Sequence, residues 1–597
     1  MSKVYLDKVD SFINKENWKV NENSNAGYNY GTLQKYQASL ISKDYWLDRV
    51  YMKEITYAHE KGYFHIHDLG GLTIYCCGYS LLDLINKGIT GIDNIPESDP
   101  AKHFDSILAQ LANIFTIFQN EIMGAVAFSS FDTLVAPFVK KDGLNYKKTK
   151  QCMQQFIYQV NSNSRSGAEP VFSNLTFDLT PPKDLLDKKA IVANEELDFT
   201  YKQCQKEMDM VNRAFFEIML KGDAKSKSFA YPIPTFNIHK RFDWDNPNNE
   251  GLWEMTGKYG IPYFSNYINS DMDPEDARSM CCRLRLDKRE LLKRNGGLFG
   301  SGEKTGSIGV VTLGLPRMGY LASNTNFGPL PYDASKVRLF KMIEHYMDLA
   351  KESLELKRVF LQKRLDGGLI PAFKEYVGTL DNHFSTIGYV GLNEMTVNFM
   401  GQGIKYPEAK KLGEEVLDFM LEKIKDYQEE TGNLYNLEAS PAESTCYRLA
   451  KIDKQEFGNK IFTQGTDEAP YYTNSCHLPV AEVESIGQLL DHQNSLQIKH
   501  TGGTVVHLYM ECGISAEMAK HIVRTAFENY EIPYLSESPV HSICKDHGYI
   551  MGIIRECHTC GKPTKTFQRI TGYTREISNF NIGKISEFWD RSQIKIN

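Results

Sequence analysis

Four residues near the C-terminal end have the types and spacing of a metal centre. Cys544-x-x-His547 is followed, after nine residues, by Cys557-x-x-Cys560. Two donor pairs, each on a tight turn, can close a tetrahedron around one ion, and thiolate with imidazole suits zinc. A Cys3His set leaves no position open for a substrate, so a structural Zn2+ is expected. His541 and His558 are competing donors that break the pairing. Just beyond lies Arg569-Ile570-Thr571-Gly572-Tyr573. A glycine in such a loop is ordinarily a turn residue. Its Cα can also carry an unpaired electron that spreads onto both flanking peptide groups, because no side chain obstructs the planar centre.

Two adjacent cysteine pairs stand out among the twelve cysteines: Cys281-Cys282 in Ser279-Met280-Cys281-Cys282-Arg283, and Cys76-Cys77 in Tyr75-Cys76-Cys77-Gly78-Tyr79. Vicinal cysteines can be structural, disulfide-forming or reactive, and spacing alone does not choose. Asp273-Pro274, a cap followed by proline at a first helical position, predicts a short helix leading into the first pair. His65-Ile66-His67-Asp68 offers metal donors, although two histidines on one face of a strand also arise from plain packing. Ser440-Pro441-Ala442-Glu443-Ser444-Thr445 precedes a helical pattern whose first N–H groups could bind a phosphate. Asn161-Ser162-Asn163-Ser164-Arg165-Ser166-Gly167 supplies hydroxyls and a cation for the same purpose. Each of the two stretches is equally a capped polar turn.

The elements that must position these residues are of mixed type. Apolar residues recur at helical spacing over residues 336–365 and 406–431, the latter stopping at Gly432. Ser515 is expected to cap a helix through Asn529. Strand-like runs fall at 63–67, 309–313, 385–390 and 504–509. Strands alternating with long helices predict an α/β fold on a parallel sheet or barrel. Residues 1–540 are expected to form this body. Residues 541–597, with few long apolar runs and the Cys/His cluster, are expected to form a separate module.

Composition narrows the class. The chain has 597 residues, 42% hydrophobic and 24% charged, as in ordinary globular proteins rather than disordered ones. Its apolar runs are far short of the ~18 residues of a bilayer span. The N-terminal residues lack the apolar stretch of a secretory signal, so a cytoplasmic location with reduced thiols is expected. With 68 basic against 75 acidic residues the formal charge is −7, which argues against a nucleic-acid binder but leaves room for a local phosphate pocket.

The motifs together resemble the anaerobic, class III ribonucleoside-triphosphate reductases, a family of glycyl-radical enzymes. The resemblance rests on HIHDLGG with YCCGYSLLDL, NSRSGAEPVFSN, FAYPIPTFNI, SMCCRLRLD, TGSIGVVTLGLPR, STIGYVGLNEM, SPAESTCYRLAKID, TGGTVVHLYM and RITGY, in family order along nearly the whole chain. It implies a ten-stranded α/β barrel of two parallel five-stranded halves set antiparallel. A finger loop through the centre carries the thiyl cysteine. It also implies that Gly572 is the radical residue, Cys282 the thiyl residue with Met280 beside it, and Cys76 the second cysteine; Cys77 and Cys281 are then neighbours. Ser164, Arg165, Glu443, Ser444 and Thr445 are candidates for holding the substrate.

The family chemistry is reduction of ribonucleoside triphosphates to deoxynucleotides for DNA precursor synthesis. A radical-SAM iron–sulfur activase generates the glycyl radical. Formate is the reductant in the branch with a methionine at the Met280 position, and other members use a thiol protein. The resemblance further implies a homodimer with dNTP and ATP effectors at a specificity site, a cytoplasmic location, and no nucleic-acid or membrane partner. HIHDLGG begins at residue 65, which leaves no space for the N-terminal ATP-cone of many members. His547 stands where four cysteines are familiar in the family. Rival readings are another glycyl-radical enzyme, such as a formate-lyase or dehydratase, and a non-enzymatic zinc-ribbon protein.

Overall fold

The computed structural model describes residues 2–16, 28–162, 170–269, 304–325, 328–440, 442–592 and 594. Ten strands form its centre. The first five are β1 (Cys76–Tyr79), β2 (Val126–Phe128), β3 (Ser173–Phe177), β4 (Ile233–His239) and β5 (Tyr263–Tyr267). They lie side by side and parallel in that order. The second five are β6 (Gly306–Gly314), β7 (His383–Val390), β8 (Tyr435–Glu438), β9 (Val506–Met510) and β10 (Tyr534–Pro539). Within this half, β6–β7–β8 are parallel, as are β9 and β10. A parallel bridge from Glu438 to Gly502 carries β8 to the approach of β9.

The halves meet antiparallel at two seams. Cys76 faces Ser307 across β1 and β6, and Leu535 faces Phe264 across β10 and β5. This is the expected ten-stranded barrel of two parallel halves. Helices cover its outer face, which explains why nearly every strand residue is buried. The opposite face is read from one side-chain cluster: Cys76, Ala127, Ile233, Tyr263 and Tyr534 come from five strands, and Val505 precedes a sixth. Side chains from strands so far apart in the sheet touch only across a common interior.

The helical expectations for 336–365, 406–431 and 515–529 hold with small shifts, whereas the helix expected after Asp273 lies outside the described residues. Helix α1 spans Tyr332–Asp366 and packs on β6 and β7. Helix α2 spans Pro407–Thr431 and ends at Gly432, whose φ of 72° needs a glycine. Helix α3 is Glu443–Phe457. The Ser515 side chain accepts from Met518 N–H and caps Ala516–Asn529. The run at 63–67 is a three-residue strand, Phe64–Ile66, that pairs antiparallel with β6 and stands outside the ten.

After β10 the chain turns directly into a four-stranded antiparallel sheet: β11 (His541–Cys544), β12 (Gly548–Met551), β13 (Lys565–Arg569) and β14 (Thr574–Glu576). Helix α4 (Ile582–Asp590) then packs back on α3. Residues 270–303 lie between β5 and β6 in the sequence. Met280, Cys281 and Cys282 fall on this connection, and Ser164 and Arg165 on the β2–β3 connection; all five lie outside the described residues.

Candidate active site and metal centre

The loop 570–573 between β13 and β14 is held at Gly572 through its backbone. Gly572 is buried. The Tyr263 hydroxyl donates to the carbonyl of Gly572 at 2.6 Å and to that of Thr571 at 3.2 Å. Arg569 Nη1 reaches the same Gly572 oxygen at 3.4 Å. The loop closes on itself through Ile570 N–H to the Tyr573 carbonyl at 3.1 Å.

Arg569 is 1% exposed and ties this loop to the barrel. Its Nε donates to Ser538 Oγ on β10, and its Nη2 to the carbonyls of Gly260 and Ile261. Gly260 ends a helix, where a cation is favoured by the unpaired carbonyls. The guanidinium also lies 4.3 Å from the centre of the Tyr263 ring. From the other side, Arg591 donates to the carbonyls of Arg569 and Ile570 and pairs with Glu587 of α4 at 2.8 Å.

Cys76 is 4% exposed and sits in the interior cluster with Tyr263, against which Tyr573 packs. Its sulfur accepts from Ala125 N–H at 3.3 Å. Cys77, one residue on, faces the helices, and burial pushes its thiol well above the ordinary range. The two adjacent cysteines thus differ by strand alternation alone: one faces the interior, the other the outer core.

Helix α3 begins at Glu443 with no side chain capping its first N–H groups. Glu443 Oε1 accepts from Thr571 Oγ1 at 2.9 Å, so the helix start abuts the Gly572 loop. Ser440 Oγ is 3.0 Å from Thr312 Oγ1 on β6. Ser444 is half-buried, and Thr445 is buried in the first turn. Glu443, Gly572 and the Cys76 cluster therefore form one connected region. A cavity of about 20 Å³ opens beside it, lined by Ile233, Arg569, Gly572 and Tyr573 among others.

The donor atoms of Cys544, His547, Cys557 and Cys560 all lie within 4.8 Å of one another. Cys544 Sγ is 3.7 Å from Cys560 Sγ and 3.7 Å from His547 Nδ1, and Cys557 Sγ is 3.6 Å from His547 Nδ1. Metal–sulfur bonds of about 2.3 Å and metal–nitrogen bonds of about 2.0–2.1 Å give tetrahedral edges of about 3.8 and 3.6 Å. The cluster therefore has the dimensions of a four-coordinate site. Backbone N–H groups of Thr559 and Cys560 lower the Cys557 thiol to about 6, which favours the ligating thiolate. The His-x-His-Asp run gathers no such set among the described residues. His67 Nε2 meets Thr312 Oγ1 at 2.8 Å, and the His65 ring packs on that of His59.

The sequence matches the family described as anaerobic ribonucleoside-triphosphate reductase over residues 22–593. The chain belongs to that family. It is 24% identical to the anaerobic ribonucleoside-triphosphate reductase of Enterobacteria phage T4, over 98% of both chains. It is 22% identical to that of Haemophilus influenzae, over 97% of this chain and 84% of the relative. Its fold matches the anaerobic ribonucleotide reductase of Thermotoga maritima, solved with dATP and CTP, with a TM-score of 0.74 at 20% identity. That match covers 94% of this chain and 92% of the other. Membership makes the chain an oxidoreductase, and sets aside the zinc-ribbon reading. Among the described residues no helix is long and apolar enough to cross a membrane.

Sequence reasoning named Gly572, Cys76 and Glu443 but missed the groups that hold them: Tyr263, Arg569 and Arg591. Arg569 stands inside the RITGY motif and was legible there as a cation beside the glycine. Tyr263 had no signal, since it is 309 residues away in sequence from the carbonyl it binds.

Proposed function

We infer that this chain reduces ribonucleoside triphosphates at the 2′ position by radical chemistry begun on Gly572. One observation carries the reading most directly: the buried Gly572 loop is tied by Tyr263 into the same interior cluster as Cys76. Family membership supplies the substrate class. The assignments of Cys282 as thiyl residue and Met280 as its neighbour rest on the Met-x-Cys-Arg motif.

In this reading a radical-SAM activase removes hydrogen from Gly572, and the radical passes to Cys282 once substrate is bound. The thiyl takes the ribose 3′ hydrogen, which makes loss of the 2′ hydroxyl as water feasible. Cys76 gives a hydrogen atom to the 2′ carbon, and Cys282 gives its hydrogen back to the 3′ carbon, which restores the thiyl. Formate, oxidised to carbon dioxide, supplies the two electrons, in keeping with Met280. The closed barrel keeps bulk water from these intermediates. The N-terminus of α3, with Ser444 and Thr445, suits the triphosphate, and Ser164 and Arg165 complete the candidate set.

Cys544, His547, Cys557 and Cys560 would hold Zn2+, which when bound fixes the fold of the 541–597 module behind the Gly572 loop. We further place the enzyme in the cytoplasm as a homodimer, regulated by dNTP and ATP effectors, with no nucleic-acid or membrane partner. The test is anaerobic activation followed by electron paramagnetic resonance and turnover of each ribonucleoside triphosphate, with and without formate. A doublet lost in Gly572→Ala together with deoxynucleotide product is the expected result. Absence of any organic radical in a competent activation mixture would sink the reading. Product formed equally well without formate would remove formate from it.

A further inference from the structure

Arg575 lies on β14, three residues past Gly572, and is 6% exposed. None of its three guanidinium nitrogens has a hydrogen-bond partner. The other buried arginines all engage their guanidinium groups: Arg317 and Arg569 donate from Nε, and Arg358 and Arg591 from both terminal nitrogens. Among the described residues, Arg575 alone has a wholly unpartnered buried guanidinium. The three acids of its own segment are engaged elsewhere: Glu576 with Lys565, Glu587 with Lys584 and Arg591, and Asp590 with the Tyr471 hydroxyl. Among the described residues its guanidinium lies against the Tyr573 ring, 4.3 Å from the centroid.

An isolated buried charge is among the most unfavourable arrangements a fold can contain. A lysine, glutamate or histidine escapes by neutralising. Arginine cannot, because its delocalised guanidinium stays protonated in proteins. Burial pushes the Glu537 carboxyl up and the His383 ring down to about 3, so burial itself relieves the charge on both without a ligand. Arg575 does demand one. Tyr573, which carries the guanidinium on its ring, also lines the small cavity beside Gly572.

We propose that Arg575 is an oxyanion-binding residue of the radical site, taking a carboxylate or phosphate oxygen pair in its planar fork when a reactant enters. The chemistry fits two sources, formate or the triphosphate of the nucleotide, since both present paired oxygens to a guanidinium. Assigning the anion to the reaction rests on the function proposed above. The binding itself does not, because it needs no radical.

The test uses the full chain without activation, at constant ionic strength. Sodium formate and sodium tripolyphosphate are titrated separately against thermal unfolding of the wild type, Arg575→Met and Arg575→Lys. At least one probe should raise the wild-type midpoint saturably. Arg575→Met should lose that response, while melting no lower than wild type in the absence of probe, since a stranded charge has been removed. Arg575→Lys keeps the charge but not the fork, and its affinity should fall by about tenfold, the scale of one charge-assisted hydrogen bond. The probe that responds identifies the source. Equal responses in wild type and both variants, or no wild-type response to either probe, overturns the proposal. Should Arg575→Met fail to fold, Arg575→Lys decides alone. A missing radical signal with intact Arg575-dependent binding would instead count against the reaction and leave the site standing.

Discussion

Gly572 has no side chain, so every group that fixes it must act on its backbone. Tyr263 donates to two consecutive carbonyls there. Tyr263→Phe keeps the ring in the interior cluster, strands the Thr571 carbonyl and leaves that of Gly572 only the 3.4 Å contact with Arg569, at a cost of about 1–3 kcal/mol. The expected outcome is a lowered unfolding midpoint and fewer spins per protomer after activation, with metal content unchanged; a wild-type spin yield would show that the hydroxyl is dispensable. Glu537 gives a second prediction at this scale. Its carboxyl is fully buried without a partner, and burial pushes its pKa well above the ordinary range. The native state therefore binds a proton that the unfolded chain releases near pH ~4.3. Stability is undiminished below that pH and falls as pH rises toward the folded pKa. Glu537→Gln should match wild type near pH 4 and exceed it increasingly toward neutrality, as followed by thermal unfolding. A difference independent of pH would contradict the buried acid. Residues of this kind are invisible in the sequence: a glutamate in Tyr534–Pro539 reads as a solvent-facing strand residue, and only the helices packed on β10 make it a buried acid.

The long helices were the most legible elements, while the seven-residue strand β4, interrupted by Pro234 and Asn237, gave no signal. Helices α1 and α2 declare themselves by sustained periodicity and by Gly432. Strands β6, β7 and β9 are long enough to show apolar runs. Strand β2 is three residues, Val126–Phe128, and no periodicity can mark it. The pairing of Cys76 with Ser307 joins positions far apart in sequence, which local pattern does not encode. The Cys/His cluster was legible because its two pairs sit on tight turns of one small sheet. That sheet makes an element-scale prediction. Its strands β11 and β13 flank the donors, and β13 leads straight into the Gly572 loop. Cys557→Ala leaves three donors and should release the metal. Structural sites supply folding energy to small modules, whereas the barrel is built from residues elsewhere. Near-wild-type far-ultraviolet circular dichroism, loss of bound zinc by elemental analysis and loss of the radical doublet are expected together. An unchanged radical yield in verified metal-free protein would refute the coupling.

At the scale of the whole molecule, the closed barrel and the C-terminal sheet protect one backbone atom from solvent. The doubly antiparallel seams place β5 and β10 beside the Gly572 loop, and α4 locks it from behind through Arg591. The protection has a chemical reason. Once Gly572 carries an unpaired electron, dioxygen adds to the backbone carbon, and the peroxyl product decays by breaking the main chain there. Twenty-five residues of this chain follow Gly572 (597 − 572). An activated sample exposed to air should therefore gain a product shortened by about that length, and mass spectrometry should place the cut at Gly572. Only protomers that held the radical are cut, so the cleaved fraction should track the spin count measured beforehand. Loosening the lock tests the role of the fold. Arg591→Ala removes donors to the Arg569 and Ile570 carbonyls and leaves Glu587 with Lys584 as its cation. The loop should then open more often and cleave faster in air at equal initial spin count. Intact mass after air exposure of a sample with a confirmed radical would place the spin elsewhere and reduce Arg569–Tyr573 to an ordinary turn.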